Sequence, residues 1–507
     1  MPSLSRLLPV ALLALCLSPA AAPASSTQES VFEDDFHLLQ NGSADQVKTL
    51  NDLDALGTDV IRSLVLWNQV APGFKKKRKP ANFDGRNPAA YDPNVWDRYD
   101  DLVRGATARG MAVLFSPTSP IPAWASECGG SLRNRRNCKP KATEFGKFVE
   151  VLGIRYSGAY ADENQGGGVL PRVNRWSIWN EPNQPGWLTP QYEVRSGRRV
   201  ATAAHRYRAL VKSAVAGLRR SGHQAGADQD QVLLGETAPI GRTSGTLARR
   251  PIPPVEFIRE LFCLKRNGRR QSGAAARAVG CTRPGRLAVN GFAHHPYTRG
   301  GSQPPRASVL PGEITISTAS RLKKLLSQGA RAGRVRAGLQ LHYTEFGFQT
   351  NPPDRLFGVS LEQQADYVNE SDWIAYRDKR IASVAQYKLI DEPDQSSFQT
   401  GLRFLDGTPK PAYDAYRLPI WVSRRGSGLR VYGQVRPADN DAAELVEIQN
   451  RPEGASSFSA VQTVDVRSPR GHFTADIPAT GGEFRLRWVP SNRSPVLFSR
   501  VAKVGRR

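Results

Sequence analysis

Beyond its first two dozen residues, this 507-residue chain has no stretch long and apolar enough to cross a membrane. It has no Gly-x-Gly-x-x-Gly turn, which weakens a dinucleotide-binding reading. It also has no Cys-x-x-Cys element, which argues against a zinc site, and no signature of a nucleic-acid-binding module. Acidic residues are in deficit, with 46 Asp and Glu against 70 Lys and Arg and a formal net charge of +24. Such a surplus either covers an Arg-rich surface or attracts an anionic polymer or cell envelope. Hydrophobic residues make up 39% of the chain, and Gly and Pro are spread along it. That composition is globular, and the length suits one large domain with a small one.

The chain begins "MPSLSRLLPVALLALCLSPAAAPASS", with Arg6, an apolar run from Leu7 to Leu17, and small residues ending near Ala22 or Ala24. This is the layout of a secretory signal, so residues 1–24 are expected to be a signal peptide and the protein to be secreted. Cys16 is no lipidation site, because Leu15 before it is bulkier than such a cleavage site accepts. Cys128, Cys138, Cys263 and Cys281 remain. An even number in an exported chain suggests disulfides. Of the three connectivities, the sequence-local one, Cys128–Cys138 with Cys263–Cys281, is the expectation.

From residue 30 to 418, short apolar runs alternate with segments of helical period. "SVFEDDFHLL" (30–39), "DVIRSLVL" (59–66), "MAVLFS" (111–116), "RWSIWNE" (175–181), "QVLLGE" (231–236), "LAVNGFAHH" (287–295), "LQLHYTEFG" (339–347) and "IASVAQYKLI" (381–390) read as strands. "WDRYDDLVRGATARG" (96–110) and "AAHRYRALVKSAVAGLRRSG" (203–222) are among the amphipathic segments between them. Strand–helix alternation favours parallel βαβ units, and eight strands match a (β/α)8 TIM barrel over residues 25–418. Residues 71–92 and 239–286 look like long loops. After residue 418 the texture becomes short alternating strands with turn residues between them. Residues 419–507 therefore read as a β-sandwich accessory domain. With no exposed aromatic row, it is expected to pack on the barrel rather than bind polysaccharide.

In such a barrel, residues at the C-terminal ends of strands face the active site. Glu181, ending "RWSIWNE", and Glu345, ending "LQLHYTE", both meet that condition, and only a closed fold would bring them together. Paired carboxylates flanking a bond are the machinery of glycoside hydrolysis. "IWNEPN" and "HYTEFGF" resemble the acid/base and nucleophile motifs of clan A glycoside hydrolases, the retaining (β/α)8 enzymes. "WNEPN" is most similar to family 39, whereas "TEFG" and the "HPY" at 295–297 also look like family 5, the cellulase family. The resemblance implies Glu181 as acid/base and Glu345 as nucleophile. It also implies Asn180 as the ligand of the sugar 2-hydroxyl, and Arg62 as the arginine that keeps Glu345 ionised. His295 and Tyr297 match the His-x-Tyr step whose tyrosine bonds the nucleophile, with His294 a less certain neighbour. The tryptophan that often ends strand eight is missing, and Gln386 and Tyr387 stand there instead, with Tyr387 the substrate-binding candidate.

The mechanism implied is double displacement, with carboxyl groups roughly 5 Å apart, acting on a β-linkage. Trp67, Trp124 and Trp187 each follow a predicted strand. They are candidates either for stacking on sugar faces or for core packing. Glu236 also ends a strand and reads as a loop-packing residue. The "KKKRK" run (75–79) falls in the loop after the second strand, either solvated or in contact with an anionic glycan. "AHHPY" offers two adjacent histidines that point in different directions on a strand, so no metal is expected, nor any cofactor. The partner implied is carbohydrate, and the protein is expected to be a monomer. An inactive polysaccharide-binding barrel and a transglycosylase are the rival readings. The intact carboxylates argue against the first, and the second shares every catalytic residue.

Overall fold

The computed structural model describes residues 25–505, apart from 164–165, 167, 196, 227–228, 439–442 and 492–494. The expected signal peptide, 1–24, lies outside the described residues. Eight parallel strands close into a barrel. They are β1 (Glu29–Glu33), β2 (Val60–Leu66), β3 (Ala112–Thr118), β4 (Arg175–Ser177), β5 (Gln231–Thr237), β6 (Gly291–His294), β7 (Gln340–Tyr343) and β8 (Ile381–Tyr387). Each pairs with its neighbours in chain order, and β8 returns to β1. Between successive strands run α1 (Ser43–Ala55), α2 (Asp97–Thr107), α3 (Ala142–Arg155), α4 (Thr202–Arg220), α5 (Pro254–Leu261), α6 (Ala319–Arg331) and α7 (Leu361–Tyr376), and α8 (Pro411–Arg417) follows β8. Helix α2 shows why such segments dock: Tyr99, Leu102, Val103 and Ala106 recur at helical spacing and are all buried.

Alternation along the strands separates two cores. Val31, Val60, Leu114, Leu233, Ala293 and Ala385 point inward and form an apolar layer inside the barrel. Their neighbours, such as Phe32, Ile61, Phe115 and Phe292, point outward and belong to the larger core shared with the helices. Two residues further along each strand, the inward positions turn polar: Glu33 on β1, Arg62 on β2, Ser116 on β3, His295 just past β6 and Tyr387 ending β8. The functional site therefore sits one layer above the apolar plug, at the C-terminal rim.

Strand β5 breaks this alternation with a bulge between Leu234 and Thr237. Gly235 lies at φ 121°, and a β-carbon there would stand 2.4 Å from the Ala293 carbonyl oxygen, so only glycine fits. The bulge brings Glu236, at φ 43°, into the barrel beside Arg62.

The chain then forms two four-stranded sheets. The first is built from β9 (Ile420–Arg425), β10 (Gly428–Gln434), β13 (His472–Ile477) and β16 (Val504–Gly505). The second holds β11 (Glu444–Arg451), β12 (Ser459–Val466), β14 (Glu483–Trp488) and β15 (Leu497–Phe498). They enclose a core of their own, including Val422, Val431, Ile448, Leu486 and Trp488. Tyr432 packs against Trp373 and Tyr376 of α7, and Arg436 donates to the Tyr416 carbonyl (2.6 Å) and pairs with Asp372.

Several expectations need correction. The stretch 30–39 is strand only to Glu33. There Asp34 and Asp35 accept the amides of Leu389 and Leu64, which turns the chain into a helical turn at Phe36–Gln40. Residues 239–286 are not all loop, since they contain α5 and a short helix at Gly273–Ala278. Strand β9 turns into β10 through a tight hairpin closed by the Arg425–Gly428 pair. Both disulfides pair as expected, Cys128–Cys138 and Cys263–Cys281.

Candidate active site

Strand β4 is short, and the chain beyond it is held by its neighbours instead. Trp179 and Glu181 donate their amides to the carbonyls of Pro117 (3.2 Å) and Glu236 (3.0 Å), and Asn180 donates its own to Thr118 Oγ1 (3.0 Å). Trp179 lies at φ 70° and Glu181 at φ 35°, the left-handed region that residues with a β-carbon seldom occupy. These bonds hold a strained turn, and Pro182 follows it. Glu345 lies two residues beyond β7.

The two carboxyls converge. An oxygen of Glu181, an oxygen of Glu345 and a ring nitrogen of His295 all lie within 4.8 Å of one another. His295 Nδ1 stands 3.1 Å from Glu181 Oε1 and 3.4 Å from Glu345 Oε2, so one N–H there serves either carboxyl. Burial lowers the pKa of this imidazole and keeps it neutral. Tyr297 donates its hydroxyl to Glu345 Oε1 (3.0 Å), and Arg62 Nη1 reaches Glu345 Oε2 at 3.5 Å. His294 turns the other way, to Thr237 Oγ1 (2.8 Å) and the Ile314 carbonyl (3.0 Å), and takes no part.

The environments of the two glutamates differ. Burial, with Glu236 beside it, pushes the Glu181 carboxyl up to about 7, against the pull of Arg62 and a bond from Trp187. Burial also raises Glu345, and Glu181 adds to it, but His295, Arg62 and the Tyr297 hydroxyl all favour its charged form. Groups this close titrate as a pair. Arg62 and the Tyr297 hydroxyl bond Glu345, and burial pushes Glu181 up, which favours the pair's proton on Glu181.

Beneath them Arg62, fully buried, is tied down by Glu236, Ser116, Glu33 and Asn180. Glu236 accepts from Arg62 Nε (2.9 Å) and Nη2 (2.7 Å), and Ser116 donates to the same carboxylate (3.0 Å). Glu33 also pairs with Arg62. Burial opposes ionisation of Glu236, but the Arg62 pair overrides it and holds this carboxyl below its ordinary range. Glu236 is thus no loop-packing residue. Only the β5 bulge turns it inward, and its backbone and side chain bind Glu181 and Arg62 respectively. Asn180 Oδ1 accepts from Arg62 Nη2 (2.8 Å) and faces the cavity. Strand-end position alone could have singled out Glu33.

A cavity of 640 Å³ opens over these groups, lined among others by Asn180, Glu181, Trp187, Tyr297, Glu345, Tyr387 and Phe398. Of the three tryptophans, only Trp187 lines it. Trp67 opens a short helical turn just past β2, stacks on Phe148 of α3 (5.5 Å) and meets Trp124 edge-on (5.8 Å). Both are buried core residues and not subsite platforms. The "KKKRK" run lies outside the cavity lining. Its first four residues are exposed, while Lys79 pairs with Glu144 (2.8 Å). Glu181, His295 and Glu345 could in principle embrace a divalent cation. Arg62 places a fixed positive charge at the same spot, which disfavours one.

No family model and no curated protein matches the sequence. Among solved structures the chain is similar to a family 39 glycoside hydrolase from the gut symbiont Bacteroides cellulosilyticus WH2, at 16% identity and a TM-score of 0.49, over 90% of this chain and 79% of that one. It is similar also to GH5_18 from Streptomyces cattleya, solved with GlcNAc, at 15% identity and a TM-score of 0.46, over 78% and 79% of the two chains. A third is the β-glycosidase of Thermosphaera aggregans, at 14% identity and a TM-score of 0.45, over 73% and 83%. Likeness at this level assigns no activity.

Proposed function

We propose that this chain is a clan A glycoside hydrolase, a retaining β-glycosidase working by double displacement. The observation that carries the reading is the asymmetry of two carboxyls within 4.8 Å. Glu345 holds the Arg62 cation and the Tyr297 hydroxyl, while Glu181 is the one pushed up to about 7. A short separation leaves no room for a water between carboxylate and anomeric carbon, as inversion would need. Glu345 attacks that carbon as the bond to the leaving oxygen breaks, and Glu181 passes its proton to that oxygen. With Glu345 esterified, its charge no longer bears on Glu181. Glu181, now ionised, takes a proton from water, which attacks the same carbon and releases Glu345. Asn180, held by Arg62, presents its amide nitrogen to the sugar 2-hydroxyl.

The cavity lining contains Glu33, Glu181, Glu345 and Asp354 and, among the described residues, neither Lys nor Arg. Such a lining disfavours a uronate, so the reading is of a sugar without negative charge, and the basic surface serves another purpose. Export is part of the reading, since two disulfides persist best in an oxidising compartment.

The test is turnover of neutral aryl glycosides. Glu345→Ala should lose about 10⁴-fold or more in kcat. Glu181→Ala should lose about 10²–10⁴-fold on substrates with poor leaving groups, while with activated aryl glycosides, which need no acid, azide should restore turnover and give a glycosyl azide of retained configuration. Equal turnover by Glu345→Ala and wild type would sink the site, and an inverted anomer in the first-formed product would sink the retaining mechanism.

A further inference from the structure

Towards its mouth the cavity carries large apolar side chains that nothing covers. Leu356 is 86% exposed, Phe357 52% and Phe398 45%, and all three line the cavity with Ile240 and Pro239. Fixed, solvent-facing apolar groups beside a polar site are a recognition feature.

These groups are held in place. Asp354 Oδ1 accepts the amides of Leu356 (2.8 Å) and Phe357 (3.0 Å). A β-carbon on Gly358 would stand 2.3 Å from the Asp354 carbonyl oxygen, so the turn closes tightly. The Phe357 ring lies over Gly300, where a β-carbon would meet it at 3.2 Å. Phe398 packs against Tyr297 (5.8 Å) and Tyr387 (6.0 Å), which joins the apolar surface to the tyrosine that holds Glu345.

Several polar side chains nearby are spent on the protein itself, which leaves Thr298, whose hydroxyl has no partner among the described residues, with Gln395 and Ser397 to face a ligand. Gln349 donates to the Gly300 carbonyl (3.1 Å) and accepts the Gln399 amide (3.2 Å). Gln184 donates to the Ile240 carbonyl (3.1 Å) and Ser396 to Asp394 (2.7 Å). A second sugar would present hydroxyls to a wall offering them few partners, and desolvating unpaired hydroxyls is costly. An apolar group would gain from the same wall. Arg355 stands on the same turn but does not line the cavity.

We propose that the outer half of this cavity is an apolar aglycone subsite, so that the enzyme cleaves glycosides of apolar alcohols rather than polysaccharide. This rests on the glycosidase reading. The balance is that of hydrolysis. The bond from the anomeric carbon to the aglycone oxygen breaks, Glu181 supplies the proton that leaves with the alcohol, and water supplies the hydroxyl and restores that proton.

The test compares octyl and methyl β-glycosides of glucose, galactose, mannose and xylose, below micelle-forming concentrations, with the full chain. The two alcohols are similar leaving groups, so their ratio reports the aglycone's surroundings. For whichever sugar is cleaved, kcat/KM should favour octyl by about tenfold or more, and in Leu356→Ser/Phe357→Ser the ratio should fall below about threefold. Octyl and methyl thioglycosides, titrated calorimetrically, read the subsite without turnover and should rank in the same order. Equal values for octyl and methyl, a ratio unmoved in the double variant, or faster cleavage of the matching disaccharide overturns the inference. If no glycoside is cleaved but octyl thioglycosides still bind more tightly, the glycosidase reading fails while the apolar subsite stands.

Discussion

At the scale of single residues, the site places two acids around one fixed cation and lets burial decide which keeps the proton. Glu181 is kept neutral at a cost that grows with pH. Its carboxyl, near 7 in the folded chain against about 4.3 in the unfolded one, binds more protons when folded. Stability therefore falls as pH rises through that window. Glu181→Gln, which cannot ionise, should raise the Tm by several degrees at pH 8 and hardly at all at pH 5, read by calorimetry. Activity should follow a bell. The alkaline limb, near 7, reports loss of the Glu181 proton, and the acid limb reports protonation of Glu345. Glu236→Gln removes a negative charge that raises Glu181, so the alkaline limb should move to lower pH and kcat should fall through a looser Arg62. A bell that stays in place would show that Glu236 does not bias the pair.

At the scale of elements, β5 and the α3–α4 pair show backbone contacts choosing residues. Helices α3 and α4 cross where Gly146 meets Gly217. A β-carbon on Gly217 would fall 2.3 Å from the Gly146 carbonyl oxygen, which is backbone and cannot move aside. Gly→Ala within a helix ordinarily stabilises by about 0.5–1 kcal/mol. Here the overlap should cost about 1–3 kcal/mol, so Gly217→Ala is expected to be destabilising in denaturant unfolding. The bulge in β5 works likewise. Without the extra residue, strand parity would point Glu236 at the helices and leave Arg62 short of its main partner.

At the scale of the whole molecule, the barrel carries the chemistry and the sandwich covers an apolar face of it. His472 stacks on Tyr376 and Tyr432 packs against it at a tilt, with Trp373 beside them. Burial drives His472 down to about 3, so this joint stays uncharged across the working pH range. A chain ending at residue 418 would expose Trp373, Tyr376 and the unpaired Asp372. It should aggregate or lose several degrees of Tm, measured by light scattering and calorimetry, rather than merely lose carbohydrate affinity. A fully active, equally stable truncation would return the sandwich to a binding role.

The sequence by itself determined the alternation of strands and helices and the strand ends near which Glu181 and Glu345 stand, because periodicity and strand-end position are local properties, while motif resemblance pointed to Arg62, His295 and Tyr297. What only the tertiary structure decided was everything set by closure. The bulge that brings Glu236 inward depends on how β5 meets β6. The convergence of Glu33, Glu236 and Asn180 on one guanidinium needs four strands to meet. The apolar mouth joins loops after β5, β7 and β8 that no local pattern connects. Closing the barrel also settled which aromatics touch solvent, since burial belongs to the packed chain and not to the side chain alone.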